Sequence, residues 1–204
     1  MDPLLIEVPE RIETENLVLR GARRGDGPVV NAAVHASLEE LVPWLPWAGA
    51  SLSVDESEAH CRRQQARFIL REDFVFLIFD RRADGGEGAL LGGTGLHRID
   101  WALRRFEIGY WRKTGCEGRG IVTEATRAMA RLAFDTLGAR RVELRMDDSN
   151  ERSWKVAERA GFTLEALLRF DAATPRGEPR STRVYARVRG AEEPFGPSPT
   201  AAEG

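Results

Sequence analysis

Cysteine, tyrosine and histidine are all scarce in this chain, at two, two and three residues of 204. Two cysteines, Cys61 and Cys116, are too few for a disulfide framework and fit a reducing, cytoplasmic compartment. Long apolar runs are missing too. The longest, Phe74 to Phe79, is far too short to cross a bilayer, so no membrane partner is expected. The segment Met1 to Glu7 has neither the basic region nor the apolar core of a signal peptide. An excess of positive charge is also absent. Lys and Arg total 30 against 32 Asp and Glu, a net charge of −2, which argues against direct nucleic-acid binding. No internal repeat is found. These absences leave one domain over residues 1–189, long enough for a sizeable core. The stretch 190–204 is rich in Pro, Gly and Ala and is expected to be disordered.

What is present is a glycine-rich loop between a strand and a helix, from Glu107 to Ala125. Gly118 and Gly120 allow positive φ and close approach of backbone to a ligand. Free N–H groups of the first helical turn, backed by the helix dipole, then make an anion site. A Walker A loop is excluded, because Ile121 and Val122 stand where Lys and Ser/Thr are needed. A dinucleotide fingerprint fails on the order of its glycines. A tight turn without ligand is the plain alternative. Cys116 in this loop has no histidine near it in sequence and reads as a small filler rather than a nucleophile.

The rest of the chain alternates between the two periods. Leu17–Arg20 reads as a strand, and a helix from Gly25–Asp26 to about Ser37 puts Val30, Ala33 and Val34 on one face. Pro43 and Pro46 exclude regular helix or sheet over Leu41–Trp47. Trp44 and Trp47 are therefore either a core plug or a ligand wall. Asp55 to Arg71 reads as a polar helix with Ala59, Ala66 and Ile69 or Leu70 inward. Phe74–Phe79 is a strand buried on both faces, and Asp84–Gly88 is a hairpin turn. Strands over Ala89–Ile99 and Arg105–Trp111 follow. A helix from Ile121 ends near Gly138, with Ala125, Ala128, Met129 and Leu132 on its inner face. Then come a strand at Arg141–Met146, a helix from the Asn150 cap to Ala160, and strands at Phe162–Phe170 and Arg183–Val188. The fold class is α/β, a mixed sheet with helices on both faces.

Five segments at these intervals resemble the GNAT acyl-CoA-dependent N-acetyltransferases, nearest their RimJ/RimL ribosomal-protein branch. They are Val42-Pro-Trp-Leu-Pro-Trp47, Leu91-Gly-Gly-Thr-Gly-Leu96, Glu107-Ile-Gly-Tyr-Trp111, Gly118-Arg-Gly-Ile-Val-Thr-Glu-Ala125 and the run from Asn150 to Phe162. The resemblance spans Thr14 to about Arg189. It implies acetyl-CoA as co-substrate, with no metal, and a strand splay that admits the pantetheine. The family's pyrophosphate motif, Gln/Arg-x-x-Gly-x-Gly/Ala, falls on Glu117 to Val122. Glu117 and Val122 depart from it. An acidic Glu117 repels a diphosphate unless its side chain turns away. Gly118, Arg119, Gly120, Ile121, Val122 and Thr123 are the implied phosphate residues. Tyr110, Trp111 and Arg112 would pair with the pantetheine through backbone, and Asn150 would bond its amide. A plain N-cap role for Asn150 is compatible with that.

The implied chemistry is acetyl transfer to a primary amine. Glu107 is the candidate base, against a strand carboxylate merely paired with a nearby Arg. Many relatives donate the thiolate proton from a tyrosine, at a position that is Ala157 here. Ser153 is then the candidate acid, against a plain capping serine, with Tyr110 and Tyr185 as weaker substitutes. His97 reads as packed or surface. Trp44, Trp47, Glu39 and Glu40 are assigned to the acceptor side. A protein N-terminal amine is the favoured acceptor. Its pKa near ~7.7–8.0 leaves a neutral fraction, unlike lysine near ~10.4. A polyamine, an amino sugar or an antibiotic is the alternative, and a non-catalytic acyl-CoA-binding regulator is the reading from another class. A homodimer is compatible with all of these.

Overall fold

The structure is a computed structural model, and it describes residues 2–49, 53–174 and 176–191. Eight strands form one sheet: β1 (Arg11–Glu13), β2 (Leu17–Gly21), β3 (Phe74–Arg81), β4 (Glu87–Asp100), β5 (Arg105–Arg112), β6 (Arg141–Asp147), β7 (Thr163–Ala173) and β8 (Pro179–Val188). Their order is β1-β2-β3-β4-β5-β6-β8-β7. Every neighbouring pair is antiparallel except β5 and β6, which run parallel. The helices are α1 (Gly27–His35), α2 (Leu38–Leu41), α3 (Val54–Ile69), α4 (Ile121–Arg131) and α5 (Glu151–Arg159). A π-type turn, Leu132–Thr136, continues α4. The sheet class agrees with expectation. The additions, β1 and α2, are too short to imprint a period on the sequence.

Strand alternation divides the interior. Phe76, Ile78, Phe106, Ile108, Val142 and Leu144 lie in the larger core with the inner face of α4 and Phe68 of α3. Leu77, Phe79 and Leu90 face the opposite way, under Ala33 and Val30 of α1. The inner face of α4 is as read from its period: Ile121, Ala125, Ala128, Met129 and Leu132 are all buried.

The register of α3 corrects the sequence reading. Ser57, Cys61 and Phe68 point inward, Ala59 is half-buried, and Ala66, Ile69 and Leu70 are exposed. Phe68 sets the phase. It packs edge-on against Phe74 and Phe76 at 5.1 and 5.5 Å, and an aromatic ring buries far more apolar area than alanines do. The start of α3 is fixed locally by a capping box between Ser53 and Glu56.

α1 begins later and ends earlier than expected. Asp26 precedes it without capping it, because both carboxylate oxygens accept from Arg20 at 2.7 Å. The Leu41–Trp47 stretch holds short helical pieces around its prolines: Leu41 ends α2, and Pro46–Gly49 is a 3-10 turn. β7 runs past Phe170, which takes φ 51° inside a register shift between Leu168 and Ala172. That irregularity hid the strand's continuation to Ala173. Beyond Ala191, the expected disordered tail lies outside the described residues.

Candidate active site

β5 and β6 are paired over only three residues, Arg105↔Arg141, Phe106↔Val142 and Glu107↔Glu143. Beyond that fork they separate. β5 stays bonded to β4 through Thr94↔Tyr110, Gly93↔Trp111 and Gly92↔Arg112. Its other edge, along Tyr110, Trp111 and Arg112, offers free backbone groups to an extended ligand. A cavity of about 640 Å³ fills the gap, lined by these residues, by Leu144 and Met146 of β6, and by Asn150 and Ser153. Glu107, Glu39, Glu40 and Trp44 line the same cavity.

The glycine loop delivers α4 to this gap. Gly118 and Gly120 take φ 74° and 71°. A Cβ on either would meet open space, so conformation and not crowding requires glycine here. Gly120 caps α4 without a side-chain bond, leaving the first-turn N–H groups of Ile121, Val122 and Thr123 to a ligand. Ile121 and Thr123 are buried and Val122 lines the cavity. The acid of that turn, Glu124, is drawn away from the site. It accepts from Thr14 Oγ1 at 2.6 Å and from the Asn16 backbone N–H at 2.9 Å.

Glu117 is also turned aside. It is ion-paired with Arg112 and accepts from the Gly115 N–H at 3.0 Å. The Arg112 guanidinium holds its carboxyl below the usual range. Arg112 reaches Glu40 as well, at 2.9 Å. One guanidinium thus ties the glycine loop to α2, and Glu40 serves as its anchor. Arg119 is paired with Asp80 at 2.6 Å, so its charge is engaged outside the loop.

Glu107 stands at the fork, with its side chain 16 % exposed. Burial pushes its carboxyl above the usual range. The Glu143 charge adds to that, and Arg98 acts most against it. Arg98 Nη1 is 3.2 Å from Oε2, yet the pair is not aligned for a hydrogen bond, and Oε2 has no such partner. A buried carboxylate with a raised proton affinity suits a general base.

Asn150 caps α5, its Oδ1 accepting from the Ser153 N–H at 3.1 Å. Its amide N–H groups remain for other partners. The Tyr110 hydroxyl donates to the Ser153 carbonyl oxygen at 3.0 Å and lies 2.9 Å from Ser153 Oγ. Sequence reasoning missed this contact. Strand alternation carried the signal, since Tyr110 follows Phe106 and Ile108 on the face that meets α5. Ala157, the position to which the resemblance assigned the family's tyrosine, is fully buried. Tyr185 is buried too, its hydroxyl bonded to Glu158 at 3.0 Å.

Trp44 and Trp47 line different cavities. Trp44 is on the one described above, while Trp47 lines a second, of about 500 Å³, on the α1 face of β3 to β5. Trp47 is 45 % exposed and meets Trp111 edge-on at 6.3 Å, so it is no core plug. Glu39 is exposed at the rim. Among the described residues, no group of three His, Cys, Asp or Glu side chains is placed to hold a metal, and no helix is long and apolar enough to cross a membrane.

Residues 16–163 match the family model described as acetyltransferase (GNAT) domain. A putative ribosomal N-acetyltransferase, YdaF, of Bacillus subtilis (strain 168) is 41% identical over 83 residues, 41% of this chain and 45% of that one. The ribosomal-protein-serine acetyltransferase of Escherichia coli (strain K12) is 32% identical over 95 residues, 47% of this chain and 50% of that one. The chain thus spans about half the length of these curated relatives. Among solved structures, the RimL ribosomal L7/L12 alpha-N-protein acetyltransferase in complex with coenzyme A superposes with a TM-score of 0.80. It is 23% identical, over 88% of this chain and 98% of that one, a likeness of fold.

Proposed function

This chain belongs to the GNAT acetyltransferase family, and we propose that it transfers the acetyl group of acetyl-CoA to the N-terminal amine of a protein. The observation that carries the reading is the cavity at the β5/β6 fork, lined by Glu107 together with the β5 edge and the residues of the Glu39–Trp44 stretch. One arm suits the co-substrate. It has an edge of β5 for the pantetheine, and the α4 N-terminus with both nearby acids turned aside for the diphosphate. The other arm opens toward Trp44 and Glu39 for the acceptor. Relatives named for ribosomal proteins favour a protein N-terminus over other amines. In this reading the protein works in the cytoplasm, which its free Cys61 and Cys116 suit.

Each residue then has a task. The first-turn N–H groups of α4 hold the diphosphate. Glu107 takes a proton from the incoming ammonium, whose ordinary pKa of ~7.7–8.0 requires only a modest base. Ser153, beside Tyr110, gives a proton to the departing thiolate. Direct attack in a ternary complex needs both arms filled at once, which one continuous cavity allows.

Release of free thiol from acetyl-CoA tests the reading across an acceptor series: peptides with free N-termini, their lysine-only counterparts, polyamines, amino sugars and aminoglycosides. The expected result is turnover with N-terminal amines above all others. Preference for a small amine would move the substrate class. Tight acetyl-CoA binding with no turnover on any amine would make the chain a binding regulator.

A further inference from the structure

The second cavity, on the α1 face of the sheet, is lined by every histidine in the chain: His35, His60 and His97. His97 has a setting built around its ring. Nδ1 lies 2.6 Å from Asp73 Oδ1, and the Asp73 side chain is 9 % exposed. The ring lies over two glycines. A Cβ on Gly95 would come within 2.9 Å of Nε2, and one on Gly109 within 3.0 Å of it. Any side chain at either position would push the imidazole out. With Nδ1 donating to Asp73, the neutral ring keeps Nε2 as an acceptor. Nε2 has no hydrogen-bond partner among the described residues.

His97 is directly opposite Glu107 in the β4/β5 register. Facing residues of an antiparallel pair project on one side of the sheet with Cβ atoms about 5 Å apart. Glu107 lines both cavities, so it joins the fork to the histidine chamber. A base that accepts a proton in each turnover must also release it. Glu107 is poorly exposed and its Oε2 has no hydrogen-bond partner, so a facing acceptor would give its proton a second way out while the amine fills the first cavity.

We propose that His97, held by Asp73, is a proton-relay residue acting through Glu107 and draining the acceptor's proton into the second cavity. The inference rests on the acetyl-transfer reading above. An ammonium N–H bond breaks and the proton binds the Glu107 carboxylate, leaving neutral amine. The Glu107 O–H bond then breaks and the proton passes, directly or through one water, to Nε2. The imidazolium sits against the Asp73 carboxylate until water takes the proton, restoring the neutral ring. No oxidant or reductant is involved.

Other charges face this pair. Arg67 of α3 is 3.1 Å from Asp73, Arg98 of β4 is 3.2 Å from Glu107, and Glu143 lies beside Glu107 in the β5/β6 register, with Arg145 two residues further along β6. His60 and Cys61 of α3 and His35 of α1 line the chamber. Burial keeps the proton affinity of His60 below the ordinary range and pushes the Cys61 thiol up to about 11.

The test compares wild type, His97→Gln and Asp73→Asn in thiol release with a peptide acceptor from about pH 6 to pH 9.5. Both variants should lose roughly tenfold in kcat at the acidic end and approach wild type at the alkaline end, where the amine is already neutral. Free imidazole should restore part of the rate in His97→Gln. A lowered melting temperature with an unchanged pH profile, or no rescue, overturns the relay. An arm independent of turnover uses histidine side-chain NMR, assigned by replacing each of the three residues. The His97 titration curve should move when Glu107→Gln removes the facing charge, and an unmoved curve overturns the proposed communication. Absence of turnover in the wild type would instead sink the acetyl-transfer reading, and the NMR arm would still decide the Glu107–His97 pairing.

Discussion

Tyr110 and Ser153 meet at the wall of the splayed strands, with the phenol oxygen 2.9 Å from Ser153 Oγ. Burial pushes the Tyr110 hydroxyl up to about 12, so it stays protonated at working pH. With the phenol proton on the Ser153 carbonyl, the Ser153 hydroxyl donates to the phenol oxygen at rest, and in the proposed reaction it turns to the sulfur as the thiolate leaves. Ser153→Ala should slow thiol release at all pH values, by about 10- to 100-fold. Tyr110→Phe should slow it less, by misplacing the serine. The double variant should be no worse than Ser153→Ala alone, since the two act as one unit. Additive losses would separate their roles.

Glu107→Gln should depress the rate by about 10²-fold or more below pH 8 and recover toward pH 9.5 as free amine becomes abundant. Stability should move the other way. The folded-state pKa of Glu107 is raised, so its contribution is full below the unfolded value and is lost as pH rises through the folded value. The Gln variant should therefore melt above wild type at pH 8 and no higher than it near pH 4. A lower melting temperature at pH 8 would mean that the Arg98 pair outweighs the burial cost.

Gly120→Asp places a Cβ at φ 71° and an anion at the mouth of α4. The left-handed region costs a non-glycine residue about 1–2 kcal/mol, less for Asp, and the charge opposes a diphosphate. Calorimetry should show coenzyme A binding weakened by roughly tenfold or more, with Gly120→Ala intermediate. Unchanged affinity in both would take the loop out of the site.

Trp47→Ala should raise the KM for the amine and leave that for acetyl-CoA nearly constant. A half-exposed indole with one edge-on partner contributes about 1 kcal/mol from that pair, well under the ~3–5 kcal/mol of a buried Trp truncation. Trp44→Ala should act in the same direction, since Trp44 lines the arm assigned to the acceptor. A melting scan beside two-substrate kinetics checks both. Equal effects on the two substrates would detach this loop from the acceptor.

Much of the frame was legible because its signals are local. The inner face of α4 follows from Ile121, Ala125 and Met129 at helical spacing, and the Asn150 cap from a side chain that bonds three residues ahead. The positive φ of Gly118 and Gly120 follows from the residue type at a strand-to-helix turn. Reading failed where a distant partner decided. Alanines suggested one face for α3, and Phe68 chose another by packing on Phe74 and Phe76. The sequence suggested a helix start at Gly25–Asp26, and α1 begins at Gly27 with the Asp26 carboxylate taken by Arg20.

The site divides along the same line. The sequence by itself determined the glycine turn into α4, the strand leading into it and the carboxylate at position 107, since these are contiguous residues with backbone consequences. Only the tertiary structure decided what the charges do. It paired Glu117 and Glu40 with Arg112, sent Arg119 to Asp80 and Glu124 to Thr14 and Asn16, and set His97 opposite Glu107 with Asp73 behind it. Hydrogen bonds and ion pairs act over a few ångströms in space. Residues such as Asp73 and His97, or Arg112 and Glu40, become neighbours only when the sheet closes.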